Sequence, residues 1–107
     1  MKLKNVHGIR LKKFPQKLQF ILDFAIAFGY DDTISWIGDG RAFRIHKQYK
    51  FFEVLARKWF KITKKKSFES QIDVYGFKRA GNRIYYHPKF LKDQPELSDK
   101  MNRLCIA

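Results

Sequence analysis

Ser67-Phe68-Glu69-Ser70-Gln71-Ile72-Asp73-Val74-Tyr75-Gly76-Phe77-Lys78-Arg79 is the stretch on which the fold turns. Phe68, Ile72 and Tyr75 recur at i, i+4 and i+7, so they share one face of a helix. Ser67 is a favoured N-cap residue, and Glu69 in the first turn would suit the helix dipole. Gly76 is placed to end the helix. Phe77-Lys78-Arg79 then reads as a strand, Ala80-Gly81-Asn82-Arg83 as a tight turn, and Ile84-Tyr85-Tyr86-His87 as the returning strand, stopped by Pro88.

Working outward, Lys61, Lys64, Lys65 and Lys66 form a basic turn before this helix. Upstream, Phe51, Val54, Leu55 and Trp59 predict a second helix from about Tyr49 to Phe60. Before that, Thr33-Ile34-Ser35-Trp36-Ile37 and Arg41-Ala42-Phe43-Arg44-Ile45-His46 flank Gly38-Asp39-Gly40, which reads as a hairpin. Pro15 opens a first helix whose inner face carries Leu18, Ile21, Leu22 and Ala25, and Gly29 closes it. Residues 1–13, with Lys2, Lys4, Arg10, Lys12 and Lys13 and no acid, read as a basic flexible arm. Residues 14–92 form the domain. Residues 93–107 hold a short helix opened by Pro95, with Leu97, Met101 and Leu104 on one side. The order predicts an α+β fold: a winged helix-turn-helix, with three bundled helices, a small antiparallel sheet and a hairpin wing.

Composition narrows the function. The 107 residues carry 23 Lys+Arg against 10 Asp+Glu, a net charge of +13, yet 45% are hydrophobic and 11 are Phe. A disordered basic tail would lack those aromatics. A folded domain of this charge wants a polyanionic partner. Cys105 is the single cysteine, so no internal disulfide forms, and His7, His46 and His87 lack metal-ligand spacing. No apolar run is long enough to span a membrane, and nothing resembles a secretory signal. Gly-rich phosphate loops and paired catalytic carboxylates are missing, so no enzyme, no cofactor and no small-molecule substrate is expected.

The chain resembles the DNA-binding domain of heat-shock transcription factors. The likeness lies in Phe14-Pro15-Gln16-Lys17-Leu18, Ile34-Ser35-Trp36, Gly40-Arg41-Ala42-Phe43-Arg44-Ile45-His46, Val54-Leu55-Ala56-Arg57-Lys58-Trp59-Phe60-Lys61, the stretch 67–79, Tyr86-His87-Pro88-Lys89-Phe90-Leu91-Lys92 and Pro95-Glu96-Leu97. It implies a nuclear transcription factor that binds double-stranded DNA, in the family at GAA-type repeats. The family's trimerisation coiled coil is not among these residues, so the chain alone is expected to be a monomer.

On a helical wheel Ser70, Asp73 and Val74 lie opposite the core face, with Gln71 at the flank. Ser67, Ser70, Gln71 and Asp73 are therefore the candidate base-facing residues. Candidate phosphate contacts are Lys61, Lys64, Lys65, Lys66, Lys78, Arg79, Arg83 and Arg103; for Lys61, Arg79 and Arg103 the resemblance carries the assignment. Two departures fall on the reading face. Ser70 stands where the family usually has a guanine-reading arginine, and Asp73 stands where it has asparagine. Losing a bidentate arginine removes about 1–3 kcal/mol of discrimination. Altered or weakened specificity is expected. The alternative is a degenerate winged helix that binds a protein through Glu69, Ser70 and Asp73. Ala56 replaces a family proline that bends the second helix, which leaves that helix's angle open.

Overall fold

The computed structural model describes residues 13–62 and 64–104. Residues 1–12 of the expected arm and Cys105 lie outside them.

Helix α1 spans Phe14–Phe28 and buries Phe14, Leu18, Ile21, Leu22 and Ala25. Its start is tied by the Lys13 N–H, which donates to Gln16 Oε1 at 3.2 Å. It ends on Gly29 at φ 79°, in the left-handed region open to glycine. Strands β1 (Ile34–Ile37) and β2 (Ala42–Ile45) pair antiparallel, with Ile34 opposite Ile45 and Trp36 opposite Phe43. Phe43 and Ile45 take the inner face and Ala42 stays half-buried. Between the strands, Gly40 sits at φ 82°, and a Cβ there would stand 2.7 Å from Lys92 Cβ. Its carbonyl accepts the Lys92 N–H at 2.9 Å, which fastens the chain after the wing onto this turn.

Helix α2 is continuous from Gln48–Lys50 through a π-helical stretch, Phe51–Ala56, to Arg57–Trp59. The periodic reading put Phe51, Val54, Leu55 and Trp59 inward. Instead Phe51, Phe52, Leu55 and Ala56 are buried and Val54 is exposed. At i, i+1, i+4 and i+5 these four span about 140° of the helix and share one face, from which Val54 points away. The π-helical stretch falls in the helix that lacks the family's bending proline.

Helix α3 spans Lys65–Val74. It begins earlier than expected: Lys64 is the N-cap, without a side-chain cap bond, Ser67 lies inside the first turn, and Glu69 lies beyond it. The C-terminus is a Schellman motif, with Phe77 N–H to Ile72 carbonyl and Gly76 N–H to Asp73 carbonyl, both at 3.0 Å, and Gly76 at φ 80°. Strands β3 (Lys78–Gly81) and β4 (Ile84–Tyr86) follow, joined by Asn82 and Arg83 with Arg83 at φ 59°. The sheet order is β1-β2-β4-β3.

The last segment differs from the sequence reading. Pro95–Lys100 is a 3₁₀ helix, and the chain is extended at Met101. Met101 and Leu104 therefore do not continue a helical face with Leu97. Met101 is buried, while Leu104 is exposed and its N–H donates to the Val74 carbonyl at 2.7 Å. Lys13 Nζ donates to the carbonyls of Asp99 and Met101 at 3.0 and 3.3 Å, closing α1 onto the C-terminal segment.

Phenylalanines fill the core. Phe68 meets Phe14, Phe51 and Phe52 edge-on at 5.5, 5.3 and 5.7 Å, and so joins α1, α2 and α3. Phe77 and Phe43 both pack on Phe90, at 5.1 and 5.6 Å, below the sheet.

Burial holds His46 and His87 below the ordinary imidazole value, aided by Arg44 at His46 and Lys89 at His87. His46 Nε2 is also paired with Ser35 Oγ at 2.6 Å. The unfolded chain therefore takes up these protons first, at about pH 6.5. This contribution to stability is whole above that pH and is lost as pH falls through the lower folded values. Urea midpoints are expected to drop between pH 7 and pH 5, and a His46→Gln, His87→Gln chain should flatten the drop. An unchanged slope in that double variant would assign it to other groups.

Candidate nucleic-acid interface

The exposed side of α3 is set by what the inner side buries. Phe68 and Ile72 are buried; Lys65, Lys66, Ser67, Ser70 and Asp73 are exposed, and Gln71 and Glu69 are half-buried. Val74, which the wheel placed outward, is instead half-buried against the core. Docking of the C-terminal segment at its carbonyl closes that side of α3.

The N-terminal end of α3 is strongly positive. Lys64, Lys65 and Lys66 are exposed, and among the described residues none pairs with a carboxylate. The first N–H groups of a helix lack intrahelical acceptors and carry the positive end of its dipole. No acid stands in the first turn to answer it. Lysines there are unfavourable for the isolated helix and become favourable when an anion arrives. Lys61, exposed at φ 61°, ends the preceding helix on the same turn.

The C-terminal end is organised differently. Arg79 on β3 reaches across to α3. Its Nη1 donates to Asp73 Oδ1 at 2.9 Å and its Nη2 pairs with Glu69 Oε1. Tyr85, opposite Arg79 on β4, donates its hydroxyl to Glu69 Oε2 at 2.6 Å. The guanidinium lies 5.7 Å from the Tyr85 ring centroid. The carboxylates of Glu69 and Asp73 raise the Arg79 pKa above its ordinary value, and burial followed by the Glu69 bond raises that of Tyr85. Sequence reasoning named both acids and Arg79 but missed their union, and it missed Tyr85. The hairpin register that sets Arg79 against Tyr85 was the available signal.

The other expected phosphate contacts are dispersed. Lys78 is exposed on the edge strand β3. Arg83 folds back: its Nε donates to the Ile45 carbonyl at 2.9 Å and its own carbonyl accepts the Ile45 N–H. Arg103 is exposed, and the neighbouring Leu104 bond to Val74 sets it beside the C-terminal end of α3. Among the described residues, no group of three His, Cys, Asp or Glu side chains is placed to hold a metal, and no helix is long and apolar enough to cross a membrane.

A helical pair joined by a basic turn, with the second helix backed by a short β-ribbon and one face open, defines the winged-helix class of DNA-binding domain. The model of the HSF-type DNA-binding family matches residues 14–104, and the chain belongs to that family. Two crystal structures of Skn7 from Chaetomium thermophilum are similar to it. One, with SSRE DNA, has a TM-score of 0.77 and 25% identity, covering 87% of this chain and 100% of that one. The other, with HSE DNA, has a TM-score of 0.75 and 27% identity, covering 86% and 100%. No curated protein sequence matches the chain.

Proposed function

We propose that this protein binds double-stranded DNA as a nuclear transcription regulator, with α3 in the major groove. The observation that carries this reading is the open face of α3, with Ser67 and Ser70 outward and Lys64, Lys65 and Lys66 at its uncapped, positive end. Lys61, Lys78 and Arg103 extend the basic frame, and Arg83 adds charge from the turn of the wing. Phosphate contacts position such a helix, and base contacts specify sequence. The frame is retained, whereas the base-reading side chains are short. Specificity is therefore weakened or shifted from GAA-type repeats. The protein-docking alternative needs free carboxylates on α3, and the pairing of Glu69 and Asp73 with Arg79 takes away its main support.

Fluorescence anisotropy on GAA-repeat, scrambled and random-pool duplexes between about 50 and 200 mM salt tests this. About five neutralised phosphates give a slope of log affinity on log salt of roughly −4 to −5. A flat response would refute DNA binding and return the protein-docking reading. Ser70→Arg is expected to add preference for the GAA-repeat duplex over the scrambled one, by about ten- to a hundredfold. An equal gain on both duplexes would mean that the new guanidinium touches phosphate only, and that Ser70 does not face bases.

A further inference from the structure

Two acids on α3 converge on one arginine of the wing, further along the helix than its lysines. Asp73 Oδ1 takes Nη1 at 2.9 Å and Glu69 takes Nη2. The Glu69 side chain is 24% exposed, and its second oxygen is fixed by the Tyr85 hydroxyl at 2.6 Å. Glu69 is therefore held from two sides, by the Tyr85 hydroxyl and by Arg79. Charge-assisted pairs of this kind are short and directional. The arginine is further held over the Tyr85 ring. Two carboxylates against one guanidinium leave the cluster with a net negative charge, beside a helix face otherwise flanked by cations.

We propose that Glu69 and Asp73 withhold Arg79 from nucleic acid. The DNA grip is thereby confined to the lysine end of α3 and removed from its wing end. The proposal rests on the DNA-binding reading above and names the residues that limit it. Asp73 creates the second arm of the clamp. An asparagine, the usual family residue there, would offer a neutral carbonyl, and Arg79 would be freer to reach a backbone phosphate. A phosphate approaching the wing end meets an arginine already neutralised twice over. One approaching the lysine end meets unpaired ammonium groups and the helix dipole. The protein thus holds two electrostatically different ends on one recognition helix.

Simple repulsion by the acids would also weaken binding, so the test is a double-mutant cycle. Wild type, Arg79→Ala, Glu69→Gln with Asp73→Asn, and the triple variant are titrated onto one random-pool duplex across about 50–200 mM salt. Withholding predicts that Arg79→Ala costs more in the neutralised background than in wild type. The difference expected is about one phosphate contact, roughly fivefold in affinity near 0.15 M salt and about 0.9 in the salt slope. Equal Arg79→Ala effects in both backgrounds would mean that the acids only repel, and would overturn the proposal. Wild type that fails to bind at 50 mM salt would instead overturn the DNA-binding reading, and the proposal with it. Each variant is first melted by circular dichroism. Should Glu69→Gln unfold the chain, Asp73→Asn alone, at an exposed position, carries the cycle.

Discussion

Phe68→Ala is expected to destabilise the domain by about 3–5 kcal/mol, the range for emptying a buried phenylalanine site. The side chain is fully buried and touches rings from α1, α2 and β4: Phe14, Phe51, Phe52 and Tyr85. These rings belong to separate elements and cannot collapse together without moving a helix. The loss therefore belongs at the upper part of the range. A domain of this size has only about 5–15 kcal/mol in total. At roughly 4–8 °C per kcal/mol, Tm should fall by about 12–40 °C. Phe68→Leu keeps most of the volume and should lose much less. A thermal melt of the two variants checks the ordering, and a small loss in Phe68→Ala would show that α3 is seated by other contacts. DNA affinity should fall with the alanine variant too, because Phe68 holds the helix that carries the exposed face.

Elements with an uninterrupted period and a clear stop were legible in the sequence. Helix α1 shows this: Leu18, Ile21, Leu22 and Ala25 gave its inner face and Gly29 its end, and all stand as read. The first hairpin followed from β-branched residues around Gly-Asp-Gly. What was not legible depended on tertiary placement. In α2 two overlapping apolar faces were open in the sequence, and the tertiary seat buries Phe52 and Ala56 and leaves Val54 out. Helix α3 has its N-cap at Lys64 rather than Ser67 and forgoes a serine cap bond worth about 1 kcal/mol. Met101 and Leu104 kept a helical spacing, yet the chain straightens at Met101 and each docks separately.

The candidate interface divides along the same line. Exposure of Ser70 and Asp73 was predicted by the wheel, because it follows from the burial of Phe68 and Ile72, whereas Val74, which the wheel also placed outward, packs against the core. The state of the charges was not predicted. Lys65 and Lys66 stand four and three residues before Glu69 in sequence, yet with Lys64 they remain unpaired with any described carboxylate, because Glu69 is engaged by Arg79. Arg79 also follows a basic neighbour, yet strand pairing and the seat of α3 bring it to two carboxylates six and ten residues away. A net charge counts both kinds equally, whereas only the first is available to a polyanion.

That distinction makes the lysine run the place where DNA affinity is expected to be most sensitive. Replacing Lys64, Lys65 and Lys66 together by alanine should remove about three phosphate contacts. The salt slope then shrinks by about 2.7, and affinity near 0.15 M salt falls roughly a hundredfold. The fold should not suffer. All three side chains are exposed, and lysine at a helix N-terminus opposes the dipole by about 0.3–1 kcal/mol in the absence of an anion. Stability without DNA should therefore hold or rise slightly while binding collapses, a pairing that core damage cannot produce. Lys17→Ala, Lys50→Ala and Lys58→Ala together, three lysines outside α3 and its preceding turn, remove the same formal charge. If the two triple variants lose equal affinity and equal slope, binding is a property of net charge and α3 has no privileged place in it. If only the first collapses, the grip is local and the recognition helix is its anchor.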